Sequence, residues 1–242
     1  MYTKVTITAL ASLLLLACGD DDKAGTCDDT VPDSGVDAGQ QQVDAPGILW
    51  DVIAARRSAF GYGGGAIAAG DVAAIARATQ GVTLPDVPTG RATATGLRAA
   101  PSPGALYPIE LYVVADNVDG MEPGLYHYDG EEDTLTITEM TGTLADQVGQ
   151  LALGQDLVKD AALILIITGV EERVTGKYGE RGIMYMHMEM GHAAQNALLM
   201  ATALGLATRP VGAMSNESLS SYLQLPEDHW PAYILAFGTL PG

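Results

Sequence analysis

Hydrophobic positions change their spacing several times along this chain, and each change predicts an element. Val5 to Leu16 is an apolar run, too short to span a bilayer as a helix. Residues 19 to 46 carry almost nothing apolar, and no packed element is expected there. Ile48, Leu49, Val52 and Ile53 then fall at helical spacing, predicting a helix that runs into Arg56-Arg57-Ser58. Asp71 to Thr79 reads as a short amphipathic helix stopped near Gly81. Ile109 to Ala115 is a β-rich apolar run with the character of a core strand. Gly124 to Asp129 and Thr134 to Thr138 are two more β-rich runs, parted by Asp129-Gly130 as in a hairpin. A helix from about Leu144 to Leu153 leads to Ala161–Thr168, the continuous apolar run of a buried strand. Gly182 to Leu206 is a long, largely apolar helix suited to a core or a subunit interface. A short strand follows it and feeds Pro210-Val211-Gly212-Ala213-Met214.

Composition narrows the class. Of the 242 residues, 48% are hydrophobic, enough to bury a core in one domain of ordinary size. The formal net charge of -18 disfavours a nucleic-acid partner, because no basic stripe exists to meet a phosphate backbone. Lys4 and the apolar run end in Leu15-Leu16-Ala17-Cys18-Gly19, which looks like a bacterial lipoprotein signal with lipid on Cys18. A plain secretory signal or an uncleaved apolar tail are the other readings of that run. Residues 1–18 are thus expected to be a signal, 19–46 an acidic disordered linker, and 47–242 the folded domain. The linker holds eight aspartates against one lysine and would tether the domain off the membrane surface. Cys27 lies inside it and, with Cys18 lipidated, has no partner for a disulfide.

Three stretches could carry chemistry. Pro101-Ser102-Pro103-Gly104-Ala105-Leu106-Tyr107 is a constrained loop feeding a strand, which is either a tight turn or a grip for a planar ligand. Arg56, Arg57 and Ser58 cluster two guanidiniums and a hydroxyl, either a phosphate clamp or a pair favoured by a helix C-terminus. Lys177 and Tyr178 are either a solvated loop pair or proton-transfer groups. Gly63-Gly64-Gly65 lacks the spacing of a dinucleotide loop. His127 reads as a strand residue. His187 and His192 sit five apart, about 140° around a helix, so one ion cannot take both, and Glu189, His192 and Asn196 read as a hydrogen-bonded stripe.

Pro-Ser-x-Gly-Ala-Leu-Tyr-Pro resembles the flavin-contacting loop of the nitroreductase-like flavoproteins, specifically their SagB-type dehydrogenase branch. Arg-Arg-Ser before it, similar to the signature that opens nitroreductases, and Gly-Leu-Tyr-His-Tyr-Asp, Lys-Tyr and Glu-x-Gly-His-x-Ala-Gln-Asn after it stand in the family's order, over about residues 48 to 240. The resemblance implies an α+β fold, with a central, mostly antiparallel sheet flanked by helices, in an intertwined homodimer binding FMN at the interface. It implies that Arg56, Arg57 and Ser58 hold the flavin phosphate, and that Pro101 to Tyr107 line the flavin. It implies that Pro210, Val211, Gly212 and Ala213 bring a backbone amide against flavin N5. In azoline-oxidising relatives the matching Lys-Tyr pair handles the substrate proton, which points to Lys177 and Tyr178. Two departures stand out: relatives often carry another Arg after the Ser, where this chain has Ala59 and Phe60. Many also continue with basic residues past Gly242, so that contact is expected to be absent or replaced.

The function expected is an FMN-dependent oxidoreductase acting on a small azoline-, nitro- or quinone-type substrate. The alternative is a membrane-tethered binding protein that keeps the fold without turnover. A lipid anchor on the extracytoplasmic side counts against free NAD(P)H as donor, whereas a cytoplasmic location would restore it.

Overall fold

Two apolar patterns of opposite parity run along the central strands, and they set the layering. The protein's structure is a computed structural model that describes residues 46–90 and 95–242. The signal-like run, Cys18, Cys27 and the acidic linker up to residue 45 lie outside the described residues.

The chain opens with α1 (Pro46–Ala55), β1 (Ile67–Ala68) and α2 (Ala69–Gln80), then β2 (Val82–Pro88) and β3 (Thr95–Arg98). β4 (Ile109–Ala115), β5 (Val118–Asp119), β6 (Gly124–Asp129) and β7 (Thr134–Thr141) follow. Next come α3 (Ala145–Leu151), α4 (Asp156–Lys159), β8 (Leu163–Gly169), α5 (Glu172–Tyr178) and α6 (Arg181–Ala203). β9 (Leu206–Val211), α7 (Asn216–Tyr222) and β10 (Trp230–Thr239) complete it. Six strands form the main sheet in the order β7-β6-β4-β8-β10-β9, with every neighbouring pair antiparallel.

Leu111, Val113, Leu165, Ile167, Leu235 and Phe237 point to one face, where α2 and α6 cover them. Tyr112, Val114, Ile164, Ile166, Ile234 and Ala236 point to the other, under α3 and α7. β8 is buried at all seven positions, which is why it reads as an unbroken apolar run rather than an alternating one. α6 presents Ala193, Ala194, Ala197 and Ala201 to the core, and these small side chains let the helix lie close to the sheet. Its end falls at Ala203 rather than Leu206, because Gly205 turns at φ +75° and Leu206 already opens β9.

Helix α1 is the exception to burial. Ile48 is 69% exposed and Trp50 66%, and Leu49 and Ile53 are also exposed. Phe60 just beyond, and Met184 and Met188 on α6, are exposed as well. Among the described residues no helix is long and apolar enough to cross a membrane.

The register fixes where the site segments stand. Ile109, Gly169 and Trp230 mark one end of the sheet, and Ala115, Leu163, Phe237 and Thr208 mark a level six residues away. At 3.3 Å per residue that separation is about 20 Å along the strands.

Candidate functional site

The loop before β4 is shaped by its own backbone. Gly104, Ala105 and Tyr107 adopt φ of +59°, +50° and +47°, a conformation that favours glycine and strains the other two. Such a loop persists only where its surroundings hold it, and a ring of polar contacts does so. The Tyr107 amide donates to Ser102 Oγ at 2.8 Å, and the Ser102 hydroxyl donates to Glu189 Oε2 at 2.5 Å. Gln80 Nε2 donates to Glu189 Oε1 at 3.4 Å, and Gln80 Oε1 accepts from Arg98 Nη1 at 3.0 Å. The ring closes where the Arg98 amide donates to the Tyr107 hydroxyl at 3.2 Å, with the Arg98 guanidinium 4.8 Å from the centre of the Tyr107 ring. Asn196 Nδ2 adds a bond to the Ala99 carbonyl at 3.3 Å, so the polar stripe of α6 grips both the loop and the segment leading to it.

On its other side the loop leans on α5. Arg173 donates to the Tyr107 carbonyl at 3.0 Å and pairs with Glu110 at 2.5 Å. Burial alone pushes the Glu110 carboxyl up, but the His127 hydrogen bond and the Arg173 guanidinium outweigh it and hold it at about 2. Lys177 and Tyr178 occupy the last two positions of α5 rather than a loop. They meet the bare backbone of Gly104: a Cβ there would stand 2.6 Å from Tyr178 Oη and 3.2 Å from Lys177 Nζ. The structure therefore brings Ser102–Tyr107, Lys177 and Tyr178 together.

The arginine pair lies elsewhere. α1 stops at Ala55, and Ser58 forms an isolated bridge with Thr208 at the free edge of β9. Ser58 is thus at the far level of the sheet from the loop and four strand spacings across from β4, about 19 Å at 4.8 Å per spacing. Arg56 and Arg57 form no ion pair with any described residue. Arg57 and Ser58 line a cavity of about 630 Å³ with Phe60, Gly205 and Leu240. Sequence reasoning missed a third cation here. Arg209 on β9 donates to the Ala59 carbonyl at 3.4 Å, placing a guanidinium next to the two residues that follow Ser58. Gly212 and Ala213 follow Val211, which lies three residues along β9 from the Thr208 level of the clamp, toward the loop's end of the sheet; both are exposed, and nothing lies within 4 Å of where a Gly212 Cβ would stand.

Not every candidate presents a side chain. Leu106 and Val211 are core residues and Pro210 sits within β9, so these three offer a ligand mainly backbone. The donor set fits a planar, phosphate-bearing cofactor: free guanidiniums and a hydroxyl at one place, bare glycine backbone at the others. Among the described residues no three His, Cys, Asp or Glu side chains are grouped to hold a metal. His187 instead packs edge-on against Trp230.

The profile of the Nitroreductase family matches residues 53–239, and the chain belongs to that family. Its general class is that of the flavin-dependent oxidoreductases. MJ1384 of Methanocaldococcus jannaschii, whose nitroreductase name is itself provisional, is 35% identical over 190 residues, covering 78% of this chain and 90% of that protein. The trifolitoxin-processing protein TfxB of Rhizobium leguminosarum bv. trifolii is 36% identical over 113 residues, covering 45% of this chain and 30% of TfxB. The fold matches that of an NADPH:FMN oxidoreductase from Vibrio harveyi solved with NAD+, with a TM-score of 0.55 and 19% identity over 80% of this chain and 69% of that one.

Proposed function

We propose that two copies of this chain hold FMN between them and exchange electrons between it and a small organic substrate of azoline, nitro or quinone type. The observation that carries the reading is the placement of Lys177 Nζ and Tyr178 Oη over the bare backbone of Gly104, inside a loop locked by Ser102, Glu189 and Arg98. Two features support a pair. The clamp and the loop stand about 20 Å apart along the strands and about 19 Å across them, so neither makes a complete site within one chain. The exposed apolar faces of α1 and α6, with Phe60, are also more than a lone surface normally leaves to water.

In this arrangement Arg56, Arg57 and Ser58, joined by Arg209, bind phosphate through charge-assisted hydrogen bonds. Gly212 and Ala213 offer backbone amides where a ring nitrogen needs a donor. Pro101, Ser102, Pro103 and Gly104 of the partner copy exclude water from the ring, and Tyr178 and Lys177 give or take the substrate proton. Bound flavin supplies the hydride chemistry. The relation to TfxB, named for processing trifolitoxin, supports the azoline member of the substrate set and the SagB-type branch.

Mixing two inactive variants tests the shared site. Arg56→Ala/Arg57→Ala and Lys177→Ala are each expected to turn over poorly on an acceptor that the wild type reduces. Re-paired at equal ratio, half the dimers are mixed and each of those has one intact site, so about one quarter of wild-type activity returns. No recovery would place the whole site within one chain. Absence of turnover by the wild type on all three substrate types would remove the substrate claim.

A further inference from the structure

Glu189, at 1% exposure, is the most deeply buried acidic or basic side chain among the described residues. It lies on α6 at the floor of a cleft of about 270 Å³, lined also by Pro101, Ser102, Pro103, Tyr185 and His192. Its two oxygens accept from Ser102 and Gln80. A carboxylate can only accept, so while Glu189 is charged the Ser102 hydrogen must point back to it and away from the cleft. A protonated carboxyl is a donor. Ser102 Oγ, which already accepts from the Tyr107 amide, has a second lone pair to receive that proton. The serine hydrogen is then released to turn toward the cleft, while the Tyr107 bond that shapes the loop is kept.

We propose that Glu189 is a positioning residue whose protonation sets whether Ser102 is tied back to α6 or donates its O–H into the cleft to an electron-rich atom of a ring ligand. The ligand part rests on the flavin reading. Burial pushes the Glu189 carboxyl up to about 7, against partial opposition from Ser102, Gln80, Arg98 and Arg173, so the change falls in the neutral range. The ionisable groups facing it are Arg98 before the loop, Arg173 on α5, the Tyr107 hydroxyl, and Tyr185 and His192 on its own helix. Arg98 and Arg173 both favour the charged form, and burial still prevails. The step moves one proton between solvent and Glu189 and changes no covalent bond.

Two readouts test it, on the full chain. The first needs no flavin. The folded state holds this proton more tightly than the unfolded chain, whose carboxyl titrates near 4.5, so wild-type stability falls as pH rises from there to about 7 and then levels. Glu189→Gln loses that fall, with a higher Tm than wild type at pH 8 and a similar one at pH 5. Ser102→Ala, which takes a donor from the carboxylate, moves the fall to higher pH. The second readout is FMN affinity by fluorescence quenching. Wild type is expected to bind about five-fold more tightly at pH 6 than at pH 8, the size of one net hydrogen bond. Glu189→Gln binds at the tighter level at both values and Ser102→Ala at the weaker, the phosphate's own titration being common to all three. Equal pH dependence in wild type and Glu189→Gln, in both readouts, overturns the proposal. The stability pattern without any FMN binding by wild type overturns the flavin reading alone and leaves the hold of Glu189 on Ser102 standing.

Discussion

Replacing Lys177 with alanine is expected to lower kcat by about 10²- to 10⁴-fold, the usual worth of a positioned proton-transfer group. FMN affinity should change little, because Lys177 is exposed on α5 and bears on none of the phosphate-clamp residues. The loop should also survive, since its polar ring runs through Ser102, Glu189, Gln80 and Arg98 and bypasses Lys177. Tyr178→Phe keeps the ring contact with Tyr185, whose centres lie 5.3 Å apart, and deletes only the hydroxyl over Gly104. It should therefore lose kcat while holding its Tm. Steady-state kinetics beside an FMN titration separates the possibilities. A fall in FMN affinity matching the fall in kcat would assign both residues to binding, and an unchanged kcat would remove them from the chemistry.

Replacing Arg173 with alanine is expected to cost about 3 kcal/mol at pH 7, the cost of leaving a buried carboxylate without its cation. Glu110 has a side chain only 16% exposed, and it is ionised in the fold only because Arg173 and His127 answer its burial. The sign of the pH dependence follows from its lowered value. Its folded carboxyl titrates at about 2 against 4.5 when unfolded, so its stabilisation is fully present above 4.5 and is lost as pH falls through about 2. In the variant Glu110 can escape by taking a proton. The gap between the two proteins should be widest at neutral pH and narrow steadily below 4.5. Urea unfolding at pH 7, 5 and 3 measures it, and an equal gap at all three would contradict the ion-pair account. Arg173 also donates to the Tyr107 carbonyl, so its loss loosens the loop from the α5 side as well.

The sheet was largely legible in the sequence because its central strands are buried on both faces. Ile109 to Ala115 matches β4 residue for residue, and Ala161–Thr168 overlaps β8 to within two residues at either end. The β2–β3 pair went unread: Pro85 and Pro88 break its alternation, and its register slips twice, so no period survives to be seen. α5 was missed for a related reason, being seven residues long with Gly176 inside it. Spacing predicted the apolar stripe of α1 but not that the stripe would face outward, because periodicity marks a face without naming its partner. The loop motif and the Lys-Tyr pair were recognisable as motifs, whereas the ring that locks them was not. Gln80 and Glu189 are 109 residues apart, and Arg98 and Tyr107 meet them only through the fold. Arg209 is the same case: the place after Ser58 where an arginine was missed in the sequence has a guanidinium delivered to it from β9.

The central claim is a flavin site completed by a second copy of this chain. The most direct test is size exclusion of the purified protein with added FMN, recording visible flavin absorbance and mass together. The account predicts flavin absorbance, shifted from that of free FMN, travelling with a dimer at one FMN per chain and lost in Arg56→Ala/Arg57→Ala. A colourless protein that leaves all the FMN in the small-molecule fraction, or a monomer that carries flavin alone, would contradict it.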